Sequence, residues 1–274
     1  MPPSALALAL GAAVLHASWN VLLAGARDSE AATAVATLAG VALLAPVAIA
    51  TGGVETAALP FAAASAALHV AYLALLARAY RGGEVSVVYP VSRGVAPVFV
   101  LAVGAAGLGE GASPAQVAGV LAVSVGVFLV QSGGTKLARR DLAFGLTIAV
   151  VIAAYTLVDA EGVERSRAPA YLALLLSPAA VIYAAALWIA GRGPDLRAEL
   201  RPRAALTGLF LVGAYGLVLG ALQLANAAPV AAVRESSVVI AALMAAAFLH
   251  EQVGSRRLGG AVIVAGGVAG VALG

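Results

Sequence analysis

The sequence predicts an all-α integral membrane protein of ten transmembrane helices, arranged as two inverted five-helix repeats. Three observations carry that prediction: 62% hydrophobic against 11% charged residues, a series of long apolar runs, and a self-similarity at a spacing of 141 residues. Soluble domains carry roughly 25% charged residues, and a chain of 274 residues with so few charges cannot cover a water-facing surface. An alanine-rich soluble helical protein would show amphipathic stripes with charged outer faces. These runs show none.

A helix needs about 20 mostly apolar residues to cross the hydrocarbon core. Such runs fall near 4–25, 31–51, 59–80, 86–108, 114–132, 141–159, 169–190, 204–225, 229–249 and 255–273. The first follows Met-Pro-Pro-Ser without the basic segment of a signal peptide and continues through Trp19 and Asn20, so it reads as a retained helix. Breaks then come at Arg27-Asp28, Thr51-Gly52-Gly53, Arg81-Gly82-Gly83-Glu84, Gly109-Glu110-Gly111 and Gly191-Arg192-Gly193-Pro194. All are short, which leaves no extramembrane domain. Backbone groups in hydrocarbon must be satisfied internally, so the spans form a helix bundle. Cysteine is absent, which excludes disulfides, thiolate metal sites and a cysteine nucleophile.

A shift of 141 residues places Arg93 on Arg234, Glu110 on Glu251, Gly119 on Gly260 and Gly126 on Gly267. A shift of 139 places His16 and Asn20 on Tyr155 and Asp159, a match of polar type only. Residues 1–135 then form the first repeat and 141–274 the second, hinged at Gly133-Gly134-Thr135-Lys136 through Asp141. Five spans is an odd number, so the second repeat enters the membrane from the opposite side. Inverted repeats of this kind are strongly associated with alternating-access carriers. The odd-numbered loops carry Arg27, Arg78, Arg81, Lys136, Arg139, Arg140, Arg192, Arg197, Arg201, Arg203, Arg256 and Arg257, while the even loops and tails carry only Arg165 and Arg167. The positive-inside rule puts the odd loops in the cytoplasm and both termini outside.

Polar groups inside spans are costly and mark candidate transport paths. His16, Trp19 and Asn20 share a face of span one, and Tyr155 and Asp159 have the same spacing in span six. His69, Tyr72 and Tyr80 trace one stripe of span three; Tyr215, Gln223 and Asn226 trace one of span eight. Tyr89, Ser92 and Arg93 cluster beside Pro90 in span four, and Arg234 and Ser237 share a face of span nine, with Glu235 turned about 100° away. Spans 1, 3, 4, 6, 8 and 9 are therefore expected to line a polar cavity, and the apolar spans 2, 5, 7 and 10 to face lipid or pack. The expected substrate-binding residues are His16, Trp19, Asn20, His69, Tyr72, Tyr89, Arg93, Tyr155, Asp159, Tyr215, Gln223, Arg234 and Ser237. Arg93 and Arg234 would attract a carboxylate or phosphate.

Other readings stand beside these. Asn20 and Gln223 also suit interhelical hydrogen bonding. Asp159, Arg93 and Arg234 also suit snorkelling to an interface, and His16 and His69 suit neutral packing. Gly216-xxx-Gly220 and Gly266-xxx-Gly270 are expected to permit close helix packing, Pro97 and Pro178 to kink their helices, and Glu110 and Glu251 to cap helix ends. No P-loop is present, His250-Glu251-Gln252-Val253-Gly254 lacks the second histidine of a zinc-protease motif, and no Gly-x-Ser-x-Gly elbow occurs. An enzyme is not expected, and no cofactor or metal is implied.

Three stretches resemble the drug/metabolite transporter superfamily, and within it the EamA-like family. They are Leu15-His16-Ala17-Ser18-Trp19-Asn20, Arg78-Ala79-Tyr80-Arg81-Gly82-Gly83-Glu84, and Tyr89-Pro90-Val91-Ser92-Arg93-Gly94-Val95-Ala96-Pro97. Arg234-Glu235-Ser236-Ser237 and the two Glu-containing turns extend the likeness over both halves. The resemblance implies a ten-helix inverted-repeat carrier with a central cavity, in a family whose members move amino acids, drugs, sugar phosphates, nucleotide sugars or lipid-linked aminoarabinose. Many members have basic termini, whereas here the odd loops are basic instead. The expectation is a multi-pass protein of the cytoplasmic membrane, a proton-linked exporter of a small polar or anionic metabolite, monomeric or homodimeric. Its partners would be a small-molecule substrate, a coupling proton and the lipid bilayer, with no nucleic acid. A flippase for a lipid-linked sugar and a non-transporting membrane scaffold are the alternatives.

Overall fold

Helix starts along the chain are written in recognisable side-chain chemistry. In the computed structural model, which describes residues 1–53, 55–82, 85–107, 109–131, 138–249 and 254–274, the first helix, α1 (Pro3–Ala24), opens on a proline. The missing N–H of a proline costs nothing at that position. α2 (Ser29–Thr51) is capped by Asp28, whose carboxylate accepts the Ala31 N–H at 2.9 Å. The Asp28 carboxyl loses solvent on burial, but that N–H and the Arg192 guanidinium outweigh the loss and hold its pKa below the usual value. A single 3₁₀ turn (Thr56–Ala58) leads into α3 (Leu59–Gly82), followed by α4 (Val85–Gly107). α5 (Pro114–Gln131) starts with a reciprocal capping box, Ser113 Oγ accepting from Gln116 N and Gln116 Oε1 from Ser113 N, both at 3.1 Å.

The second half runs through α6 (Arg139–Val163), α7 (Ala168–Leu187), a π turn at Trp188–Arg192, the short α8 (Gly193–Ala198) and α9 (Pro202–Leu222). It continues in α10 (Ala227–Arg234), α11 (Ser237–Leu249) and α12 (Ser255–Leu273). Among the described residues ten segments are long and apolar enough to cross a membrane, which makes this an all-α integral membrane protein. Two differ from the expected spans. Span seven continues past Leu187 through the π turn into α8. Span nine begins at Ala227 and is interrupted at Glu235–Ser236, where α10 gives way to α11.

The side chains of 80–82, 85, 86, 245, 248 and 249 lie outside the description, and with them Tyr80. The expectations for Gly83-Glu84, for the hinge at 133–136 and for His250-Glu251-Gln252-Val253 also fall on residues outside the described set. Glu110 is described, and it caps a helix other than its own. Its carboxylate accepts the Ala227 N–H at the start of α10, and burial raises its pKa against that bond, with Glu161 and Glu164 adding to the rise.

The helices pack in a pattern that survives exchange of the two halves. α1 packs on α9 as α6 packs on α3, α2 on α9 as α7 on α3, and α4 on α6 as α11 on α1. α2 meets α7, and α5 meets α12, across the middle. In the α5–α12 seam, a Cβ on Gly119 would stand 2.7 Å from the Gly267 carbonyl oxygen, and one on Gly126 would stand 2.7 Å from that of Gly260. The 141-residue shift converts each contact into the other. The close approaches expected at Gly216, Gly220, Gly266 and Gly270 do not occur, since the nearest atoms to a Cβ there lie at 3.5 Å or beyond. They occur instead at α5–α12 and between Gly40 and Gly208 of α2 and α9, where helix backbones touch.

Candidate functional site

Between the halves lies a cavity of about 180 Å³. One water needs roughly 10–15 Å³ on this measure, so the cavity has room for several waters or one small metabolite. Of the residues expected from sequence, His16, Trp19, Asn20, His69, Tyr72, Tyr89, Arg93, Tyr155, Tyr215 and Arg234 all line it. Asp159, Gln223 and Ser237 do not. The lining runs from these mid-span groups to Ser29 and Glu30, at the loop joining α1 to α2, so the cavity reaches the face that carries the basic odd-numbered loops.

The apolar spans 2 and 7, expected to face lipid or pack, line the cavity as well. α2 contributes Glu30, Thr33 and Thr37, and α7 contributes Leu176, Ala179 and Tyr183. The signal in α2 is readable after the fact: Glu30, Thr33 and Thr37 fall at i, i+3 and i+7, one helical stripe. A mean hydropathy of 2.1 for the span conceals it.

The electrostatic centre is a group of three buried charges. Arg93 and Arg234 are each 3% exposed and Glu235 is 0% exposed. Arg93 Nε lies 3.1 Å from Glu235 Oε2, and Arg234 Nη2 lies 3.4 Å from Glu235 Oε1. Arg93 Nη2 also contacts His16 Nε2 at 2.7 Å. A guanidinium only donates, so this nitrogen of His16 is the acceptor and carries no proton. Glu235 was expected to turn away from Arg234. It turns inward because the helix stops at Arg234, so the rotation of 100° per residue no longer applies across the Glu235–Ser236 break. A carboxylate in mid-span is itself the signal that was passed over, since such a group is tolerated only when paired. Ser237, at the start of α11, is 2% exposed and sits beyond this break.

Aromatic rings build the walls. The His69 ring lies 4.4 Å from that of Tyr155 and 5.4 Å from that of Tyr215, centroid to centroid, and Tyr155 meets Tyr72 at 6.2 Å. His16 and Trp19 meet edge to face at 4.9 Å. Asn20 donates to the carbonyl of His16, one turn back, and so stiffens the same face.

Toward the even-numbered loops the passage ends in a polar plug. The Tyr171 hydroxyl donates to Asp159 Oδ1 at 2.9 Å, and the Tyr215 hydroxyl donates to Asp159 Oδ2. Asp159 is fully buried four residues before the end of α6, about 6 Å of helix rise. Gln223, at the end of α9, donates to the carbonyls of Val163 and Ser166, so it ties α9 to the end of α6. On the opposite face Arg192 binds Asp28, Glu30 and Asp195, joining the α1–α2 loop to the turn after α7. Among the described residues no group of three potential metal ligands forms.

Residues 140–273 match the model of the EamA-like transporter family. A solved crystal structure is similar over 100% of this chain and 98% of its own, with a TM-score of 0.81 at 17% sequence identity, which shows a common fold. Comparison with curated proteins finds no significant match.

Proposed function

We propose, for a chain that belongs to the EamA-like transporter family of the drug/metabolite transporter superfamily, a proton-linked exporter of a small polar or anionic metabolite across the cytoplasmic membrane. The family makes the chain a multi-pass membrane transporter that acts on a small molecule. The observation that carries the finer reading is the cavity that Arg93 and Arg234 both line. Two cations in a site of low dielectric form a strong recognition element for an anionic group. In this reading residues 1–135 and 141–274 are inverted repeats whose rocking exposes the cavity to each side in turn. The exchangeable packing of the helices supports that arrangement.

The reading for direction rests on the basic loops. Positive-inside places them in the cytoplasm, and the cavity reaches their face, so substrate loads from the cytoplasm. Asp159, with His69 nearby and two tyrosine hydroxyls bonded to it, is the proton carrier of this reading, and the aromatic and threonine walls hold the body of the substrate. Reconstitution into proteoliposomes tests it, with a panel of small carboxylates and phosphate esters and an imposed pH gradient. An inwardly directed proton gradient should drive a panel member out of the vesicles, and Asp159→Asn should uncouple that flux. Flux indifferent to the gradient would overturn proton coupling.

A further inference from the structure

We infer that the site is matched to a monoanion, because Glu235 cancels one of the two arginine charges and leaves a single positive charge for the substrate. This rests on the reading of the cavity as an anion site and names the charge class it takes. Among the described residues, the charged groups at the centre and along the cavity lining add up as follows. Arg93 and Arg234 contribute two positive charges, and Glu235, fully buried between them, contributes one negative charge. His16 accepts from Arg93 and is neutral in that contact. His69 faces the rings of Tyr155 and Tyr215 and bonds back to Ser65. Asp159 is held by the Tyr171 and Tyr215 hydroxyls outside the cavity lining, and Glu30 at the mouth is bound by Arg192.

A second observation points to a missing partner. Arg234 lines the cavity at 3% exposure, yet among the described residues its side chain meets only its own neighbour Glu235, at 3.4 Å, and its Nε has no hydrogen-bond partner. A buried donor of this kind is costly unless a ligand satisfies it. One carboxylate would complete the charge balance and take these donors together. A phosphate monoester with two negative charges would over-compensate the centre. It would place its second charge beside Glu235, where repulsion is weakly screened.

Ligand-induced thermal stabilisation of the full chain in detergent reads this out. The probes are phenylacetate and phenyl phosphate, of similar body, at a pH of about 8, well above a phosphate second ionisation near 6. The wild type should favour phenylacetate by about tenfold in apparent affinity. Glu235→Gln raises the charge of the site to two and should reverse the preference toward phenyl phosphate. Arg234→Gln leaves no net charge and should lose binding of both probes. The double variant Arg234→Gln with Glu235→Gln returns the charge to one and should regain phenylacetate preference. That last pair keeps the test decisive even if Glu235→Gln alone fails to fold. If the double variant does not regain binding over Arg234→Gln, or if Glu235→Gln folds and keeps the wild-type preference, the charge match is overturned while the anion site stands. If neither probe stabilises the wild type, the anion reading itself falls.

Discussion

Gly208→Ala should leave little folded protein, although it adds one methyl group to a helix and replaces glycine by the best helix former. Alanine in a helix interior is favoured over glycine by about 1 kcal/mol, so propensity alone predicts a gain. The site allows none. A Cβ on Gly208 would meet the carbonyl oxygen of Ala36 and stand 2.6 Å from the Gly40 backbone nitrogen, and a Cβ on Gly40 would stand 2.6 Å from the Gly208 carbonyl oxygen. These are backbone atoms, which cannot step aside as a side-chain tip can. α2 and α9 must separate, and with them the threonine stripe of α2 and Tyr215 of α9, which both line the cavity. Overpacking of this kind costs about 3 kcal/mol. Fluorescence-detected size exclusion and thermal unfolding should show a loss of monodisperse protein or a markedly lower midpoint. Gly266→Ala is the control, because nothing lies within 4 Å of a Cβ there. It should unfold at or slightly above the wild-type temperature.

Arg93→Ala carries the second large effect, because Arg93 serves two partners at once. Its loss leaves His16 Nε2 without its donor, and leaves Glu235 buried with only the long contact to Arg234. Breaking one side of a buried ion pair costs about 3–5 kcal/mol, mostly from the uncompensated charge that stays behind. The origin of the cost can be isolated. The double variant Arg93→Ala with Glu235→Ala removes the stranded carboxylate, so it should recover part of the stability lost in Arg93→Ala alone. Arg93→Lys keeps the charge but cannot reach Glu235 and His16 together from one rigid fork. It should fold nearly as well as the wild type and bind anionic probes about tenfold or more weakly. Thermal unfolding of the three variants in one detergent checks the ordering.

How far the molecule could be read from its residues differs sharply from level to level. Hydropathy located the ten spans because lipid imposes a length and a composition on each one. The polar faces of α1, α3, α4, α6 and α9 were legible because a helix repeats every 3.6 residues and buried polar groups are rare. The same rule failed at Glu235, since it presumes an unbroken helix, and no proline or glycine marks the stop at Arg234. It also passed over α2 and α7. Their polar residues are few, and an average over the span dilutes Glu30, Thr33 and Thr37 among alanine and leucine. Glycine spacing misdirected the reading of helix seams. Gly216-xxx-Gly220 has the motif, but which glycine meets a neighbouring backbone is a property of the neighbour, and Gly40 and Gly208 lie 168 positions apart. Gln223 was polar enough to be placed in the cavity, yet it serves the end of α6, where free carbonyls await a donor.

If the polar faces of both halves enclose one water-reachable cavity open to the basic-loop side, a single introduced cysteine reports it most directly. The chain has no cysteine of its own, so any labelling reports the introduced site alone. Thr33→Cys places a thiol on the cavity stripe of α2, and Val125→Cys places one on an exposed apolar face of α5 that the bundle turns toward lipid. In membrane vesicles of either orientation, an impermeant charged thiol reagent should label Thr33→Cys from the face of the odd-numbered loops and leave Val125→Cys untouched. Labelling of Thr33→Cys from neither face, or no faster than Val125→Cys, would contradict the account.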